Sequence, residues 1–330
     1  MQFTKPSIGD RVSQLGYLVK NTFTIVGRDK DILVPVVKMS LYASLVVVLF
    51  FGGIAAVIIG RGGTAAWMFL FSIILFVYKF FFYNRLELRL SRLVFDTACG
   101  KDATVKAAKA ELTGMKRQVF ILGLVDMLRA WITRQQDGSK GFMSLLLGAL
   151  GELGDLVTHF LLPVFAIDKL GVKDGCMRLG VLKDHVPETL GGVFGVDIMG
   201  GVLRTIMSPL YLIAGIIGVL AGLFFGDFLP AAFSAGPLGD LFSTIPAWLP
   251  VDTATVFSWF PLFVLIFLSC IGNAIFARLV ATIKVIYFTL FYARIAHAEK
   301  LTPDLRQALD GYLQVEASDD SESAAQLQDS

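Results

Sequence analysis

The chain has 330 residues, 55% of them hydrophobic and only 17% charged, with a formal net charge of +2. A soluble domain carries about 25% charged residues, so the composition excludes an ordinary soluble enzyme, and so small a net charge gives no footing for a nucleic-acid partner. The three cysteines, Cys99, Cys176 and Cys270, match no metal-binding spacing, and their odd number rules out a complete disulfide framework.

In chain order, residues 7–27 read as an amphipathic helix. Ile8, Val12, Leu15, Val19, Phe23 and Val26 recur at spacings of three and four, the period of a helix face. Such a helix either lies in the membrane interface or packs on the protein's own cytoplasmic face. No apolar region follows a basic start, so the segment does not read as a signal peptide.

Gly27 to Asp31 break this helix, and Ile32 to Gly60 form the first predicted span. A span needs roughly 20 apolar residues. Arg61-Gly62-Gly63 turns the chain, and Thr64 to Tyr83 form the second span. Its apolar character stops at Asn84, but no Gly or Pro stops the helix before Gly100. The helix is therefore expected to overshoot the bilayer, with Leu86, Leu90, Leu93 and Val94 on one face.

A short basic helix is predicted over 103–117, followed by a hairpin over 118–166 with its turn at 135–141. The hairpin either crosses the membrane twice or enters and leaves as a re-entrant pair. A polar stretch over 168–190 and a glycine-rich lead-in at 191–204 precede a span from Thr205 to Gly226. A long loop, 227–254, leads to the last span, Thr255 to Ala277, whose helix is expected to continue to His297. The fold class is thus all-α: a polytopic transmembrane helical bundle of four spans plus the hairpin, with amphipathic interfacial helices. The expected organisation is an N-terminal helix over 1–31, a transmembrane domain over 32–297 and an acidic cytoplasmic tail over 298–330. After about residue 316 the tail carries no basic residue and too little apolar surface to order itself.

Basic residues set the direction. Residues 1–38 hold six Lys or Arg, 84–117 hold eight and 169–190 hold four, whereas 227–254 hold none. Loop 227–254 is therefore expected outside and both termini in the cytoplasm, in a prokaryotic cytoplasmic (inner) membrane. Segments 7–98 and 171–297 share a plan of lead-in, outward span and overshooting return, which suits either a parallel internal repeat or two hairpins that merely look alike.

Glu152, Asp155 and His159 stand at i, i+3 and i+7, on one face of a helix. Asp126 and Arg129 on the preceding arm are their candidate partners. Ionisable groups in a membrane segment are costly and functional by default; two carboxylates and an imidazole suit a divalent cation or a proton relay. The alternative is a shallow hairpin whose polar face meets water, with Arg129 neutralising Glu152 or Asp155. Gly218, Gly222 and Gly226 make two overlapping G-x-x-x-G steps that let another helix approach closely, in this chain or in a second copy. Lys79 and Arg204 snorkel at span ends, while His185 and His297 read as surface residues. No catalytic signature is present: no G-x-S-x-G, H-E-x-x-H, phosphate-binding loop or C-x-x-C.

Three stretches carry a resemblance: Arg28-Asp29-Lys30-Asp31 leading into the first span; Phe160-Leu161-Leu162-Pro163-Val164 with Asp168 and Leu170-Gly171; and Asn273-Ala274-Ile275-Phe276 running on to Tyr287 and Tyr292. With them, residues 10–297 resemble an uncharacterised prokaryotic family of six-helix integral membrane proteins, similar in pattern to the membrane domain fused to some glycerophosphodiester phosphodiesterases. The resemblance implies a six-helix bundle without enzymatic residues. The function expected is that of a transporter- or channel-like membrane protein or, alternatively, a non-catalytic scaffold or accessory subunit. Neither needs a cofactor, and the expected partners are the lipid bilayer and a second copy or a membrane-complex subunit.

Overall fold

A computed structural model describes residues 27–138, 158–182, 209–237 and 255–313. The predicted helix 7–27, save its last residue, the lead-in 191–204 and the tail after 316 lie outside the described residues. The described chain is mostly helical. Its helices are α1 (Leu33–Ile58), α2 (Gly62–Ala98), α3 (Val105–Glu111) and α4 (Lys116–Gly138), then α5 (Thr158–Asp168), α6 (Val172–Leu182), α7 (Pro209–Phe228), α8 (Phe260–Ala296) and α9 (Pro303–Leu313). Four of them, α1 with the single 3-10 turn before it, α2, α7 and α8, are long and apolar enough to cross a membrane.

Glycine ends the first two helices by the same device. Gly60 and Gly100 both take positive φ, 76° and 72°. In each case the next residue's N–H reaches back over the last turn, Arg61 to Ala56 O and Lys101 to Asp96 O. This cap satisfies carbonyls that the helix leaves open.

The chain divides into two compact units, and α1, α2 and α8 each contribute one end to each. Unit 2 comprises 38–79 and 200–280. Many of its apolar side chains are exposed: Leu41, Trp67, Ile73 and Leu212 are all more than 60% exposed. A large apolar surface left open is what a segment solvated by lipid carries. Unit 1 comprises 1–37, 80–199 and 281–330, and it is built the other way round. Leu90, Leu93, Val94, Leu162, Phe165 and Ile286 are wholly buried in one continuous core. Leu86, Leu90, Leu93 and Val94, the face expected of the overshooting helix, are all buried. Helix α9 joins this core through Leu305 and Leu309.

Several expectations need correction. Val256–Ser258 is a strand, not the start of the last span; it pairs antiparallel with Ser234–Pro237, so a small two-stranded sheet interrupts the all-helical pattern and α8 begins at Phe260. The basic helix ends at Glu111, because Leu112 to Met115 form a turn that carries Thr113-Gly114. Helix α4 runs through Gln135 and Gln136 to Gly138, where a turn is predicted. The polar stretch after 168 contains the helix α6.

Candidate functional site

The RDKD segment ties the start of α1 into unit 1. Asp29 caps the 3-10 turn at Lys30–Ile32 by accepting from the Asp31 N–H at 2.8 Å, and its second oxygen accepts from Thr97 Oγ1 at 3.3 Å. Asp31 accepts from the Val105 N–H at 3.1 Å, and so caps α3. Arg28 pairs with Asp304 of α9 at 2.5 Å. Negative side chains at helix starts satisfy open N–H groups and complement the dipole. The two carboxylates thus hold three elements together.

A polar layer lies within unit 1. Asn84, fully buried on α2, donates from Nδ2 to Phe80 O at 2.8 Å and to Asp126 Oδ2 of α4 at 2.5 Å. Its Oδ1 has no partner among the described residues. One turn on, Glu87 is buried. One turn further, Ser91 meets Thr289 of α8: Thr289 Oγ1 stands 2.7 Å from both Ser91 Oγ and Val285 O. A carbonyl can only accept, so Thr289 gives its proton to Val285 and Ser91 donates to Thr289.

His159 sits in the same neighbourhood. It is buried, and its ring stacks on Phe288 at 5.3 Å. The described residues of helix α5 lie in unit 1. Burial, then the charge of Lys284, drives the imidazole down to about 4, against the opposing pull of Glu87. The ring is therefore neutral at pH 7. The electrostatic reach of Asp126 and Arg129 onto His159 places three of the five predicted site residues in one neighbourhood. Glu152 and Asp155 lie outside the described residues. No group of three metal-ligating side chains occurs among the described residues. Sequence reading missed Asn84, Glu87, Lys284 and the Ser91–Thr289 pair. Their signal was present as polar residues at helical spacing beside the apolar face of α2.

A second constellation joins α5, α6 and the end of α8. Asp168 accepts from the Tyr292 hydroxyl and, at 2.7 Å, from His297 Nε2. Lys300 Nζ approaches His297 Nδ1 at 3.2 Å. An ammonium can only donate, so Nδ1 accepts and the proton sits on Nε2. Arg178 of α6 hydrogen-bonds the Tyr292 oxygen. His297, expected at the surface, has a side chain only 14% exposed; His185 lies outside the described residues. Nearby, Arg92 pairs with Asp96 at 2.9 Å and Glu111 at 3.0 Å, and Glu111 also takes Lys169 at 3.0 Å. These contacts orient helices, and every acidic group among them is held by a cation or a hydrogen-bond donor.

The predicted glycine face meets residues of its own chain within unit 2. A Cβ on Gly218 would fall 2.6 Å from Leu262 Cα, on Gly222 2.2 Å from Ser258 O, and on Gly226 1.6 Å from Val256 O. The partner is thus the strand Val256–Ser258 and the first turn of α8, not the length of another helix. Lys79, at the end of unit 2, lies 3.5 Å over the Phe76 ring. The chain matches no protein-family model, no curated protein and no solved structure.

Proposed function

We propose that the protein is a polytopic membrane scaffold. Four spans anchor a cytoplasmic helical module that docks other proteins and catalyses nothing. The observation that carries this reading is the inversion of burial along single helices. On α2, Phe76, Val77 and Tyr78 are nearly half exposed, whereas Leu86, Leu88 and Leu90 are almost completely buried. The same change occurs on α8 between Leu268 and Ile286. A helix of 37 residues is about 55 Å long, well beyond a hydrocarbon core of about 30 Å. The excess length is spent on a water-facing domain with a closed core. The concentration of Lys and Arg in this module, and their absence from 227–254, support its placement on the cytoplasmic side of an inner membrane, with both termini there.

The test is purification of the full chain in mild detergent. A stoichiometric protein partner, or a defined homo-oligomer, is expected to co-purify. It should be released by charge reversal at exposed Lys101 and Lys106 (Lys101→Glu with Lys106→Glu). A monomer that co-purifies with nothing contradicts the scaffold reading.

A second reading, transport, draws on buried Asn84 and its half-buried partner Asp126, beside His159. It predicts that Asp126→Asn, or Glu152→Gln with Asp155→Asn, abolishes solute flux in proteoliposomes while the protein stays folded. Unchanged flux removes these residues from any such mechanism.

A further inference from the structure

Unit 1 carries one apolar surface that its own core does not use. On α4, Phe120, Leu124, Met127, Leu128 and Trp131 are between 39% and 57% exposed. Their spacing of i, i+4, i+7, i+8 and i+11 puts them on one helical face. On the opposite side of α4 Leu122 is wholly buried, and Gly123, at the flank of the stripe, lies against Phe81, whose ring would stand 2.6 Å from a Cβ there. Phe120 stacks on Phe81 at 5.5 Å. Phe81 belongs to the last apolar turn of α2 before Asn84 and Arg85. The exposed stripe is therefore fixed at the level where the apolar run of α2 gives way to charge, which is where a membrane ends.

At the N-terminal end of the stripe is a groove of about 70 Å³. Four cations line it: Arg85 and Arg89 from α2, Lys109 from α3 and Lys116 from α4, above an apolar floor that includes Leu88 and Val119. Thr113 adds a hydroxyl at the rim. None of the four cations has an acidic partner among the described residues. Of the carboxylates nearest in sequence, Glu111 is engaged by Arg92 and Lys169, and Glu87, between Arg85 and Arg89, is buried. Arg85 and Arg89 stand one turn apart, where like charges repel, so a bound anion would relieve the cost of assembling the groove. Lys116 is also the first residue of α4, and the positive end of that helix's dipole adds to the field.

We infer that this groove binds the phosphate of an anionic lipid headgroup, while the Phe120–Trp131 stripe beside it seats in the acyl region. Charge complementarity selects the anion, and the exposed stripe selects a lipid over free phosphate. Arginine offers several donors in a fork that fits phosphate oxygens. An aromatic such as Trp131 suits the boundary between headgroups and acyl chains. The inference rests on the membrane reading above but not on the scaffold role.

Purified full-length protein in neutral detergent would be titrated with dioctanoyl phosphatidylglycerol, dioctanoyl phosphatidylcholine and inorganic phosphate, with binding read by native mass spectrometry. Phosphatidylglycerol is expected to bind saturably and at least about tenfold tighter than either competitor. Each basic residue near an anionic surface is worth about a fivefold change. Arg89→Gln with Lys116→Gln should therefore weaken phosphatidylglycerol at least about tenfold. Lys173→Gln with Arg306→Gln, equal in charge change but outside the groove, should leave it unaltered. Leu128→Gln, on the exposed stripe, should weaken the lipid and spare phosphate. Equal binding of the two lipids, equal effects of the two double variants, or inorganic phosphate binding as tightly as phosphatidylglycerol would each overturn the assignment. Alkaline carbonate extraction of the native membranes tests the membrane reading separately: release of the protein sinks that reading, whereas retention with no lipid preference sinks only the site.

Discussion

Among single residues, His159 carries a titratable group in an apolar stack, and this has a consequence for stability. Its imidazole protonates at about 4 in the folded chain, against 6.5 for the free side chain. The folded pKa lies below the unfolded one, so the unfolded chain takes up the proton first as pH falls. The stability that neutral His159 confers is complete above about pH 6.5 and is lost progressively toward pH 4. We expect the thermal unfolding midpoint in detergent to drop between pH 7 and pH 5, and His159→Phe to flatten that slope. An identical slope in the variant would show that other groups carry the acid sensitivity. His297 differs in kind. Its partner Asp168 is 129 residues away in sequence, so no local pattern announces that it is half-buried. The same holds for Tyr292, which is fully buried yet ends a run that reads simply as an overshooting helix.

The helices were legible in the sequence where a period or a stop signal was strong. The apolar face of Leu86, Leu90, Leu93 and Val94 repeats at helical spacing, and Gly60 and Gly100 occupy the one backbone region that ordinary residues avoid. The strand Val256–Ser258 was not legible. Its apolar residues run on into Trp259 and Phe260, and only the distant Ser234–Pro237 strand, together with the Asp227 carboxylate that accepts from the Val256 N–H at 2.9 Å, draws them out of the helix. The glycine face was legible as a close contact, but its partner was not. That contact predicts a gradient along α7. Gly215→Ala meets open space and should be neutral or slightly stabilising, since alanine favours a helix by about 1 kcal/mol over glycine. Gly226→Ala would drive a methyl into the Val256 carbonyl and should abolish folded protein, or lower its midpoint far more than Gly215→Ala alters it. Fluorescence-detected size exclusion of the two variants decides this, and equal behaviour would refute the packing described.

Across the whole molecule, one rule accounts for the distribution of residue types. Unit 2 exposes most of its large apolar side chains and unit 1, apart from the α4 stripe and a few residues such as Val37 and Met177, buries them, although α1, α2 and α8 run through both. Sequence patterning shows the same change as a loss of hydropathy at Asn84 and a rise in basic residues beyond it. What patterning does not show is that α5, α6 and α9 help close a core with those helix ends, because that core depends on contacts between segments far apart in sequence. We propose that the cored unit, which holds most of the chain's Lys and Arg, lies in the cytoplasm and that loop 227–254 faces outside. Cysteine labelling with a membrane-impermeant maleimide tests it directly. In Cys99→Ser, Cys270→Ser protein, exposed Cys176 of α6 serves as the cytoplasmic reporter, and an added Ser243→Cys serves as the outer one. Residue 243 should label on intact cells and Cys176 only after permeabilisation. Labelling of Cys176 on intact cells, with residue 243 protected, would contradict this orientation.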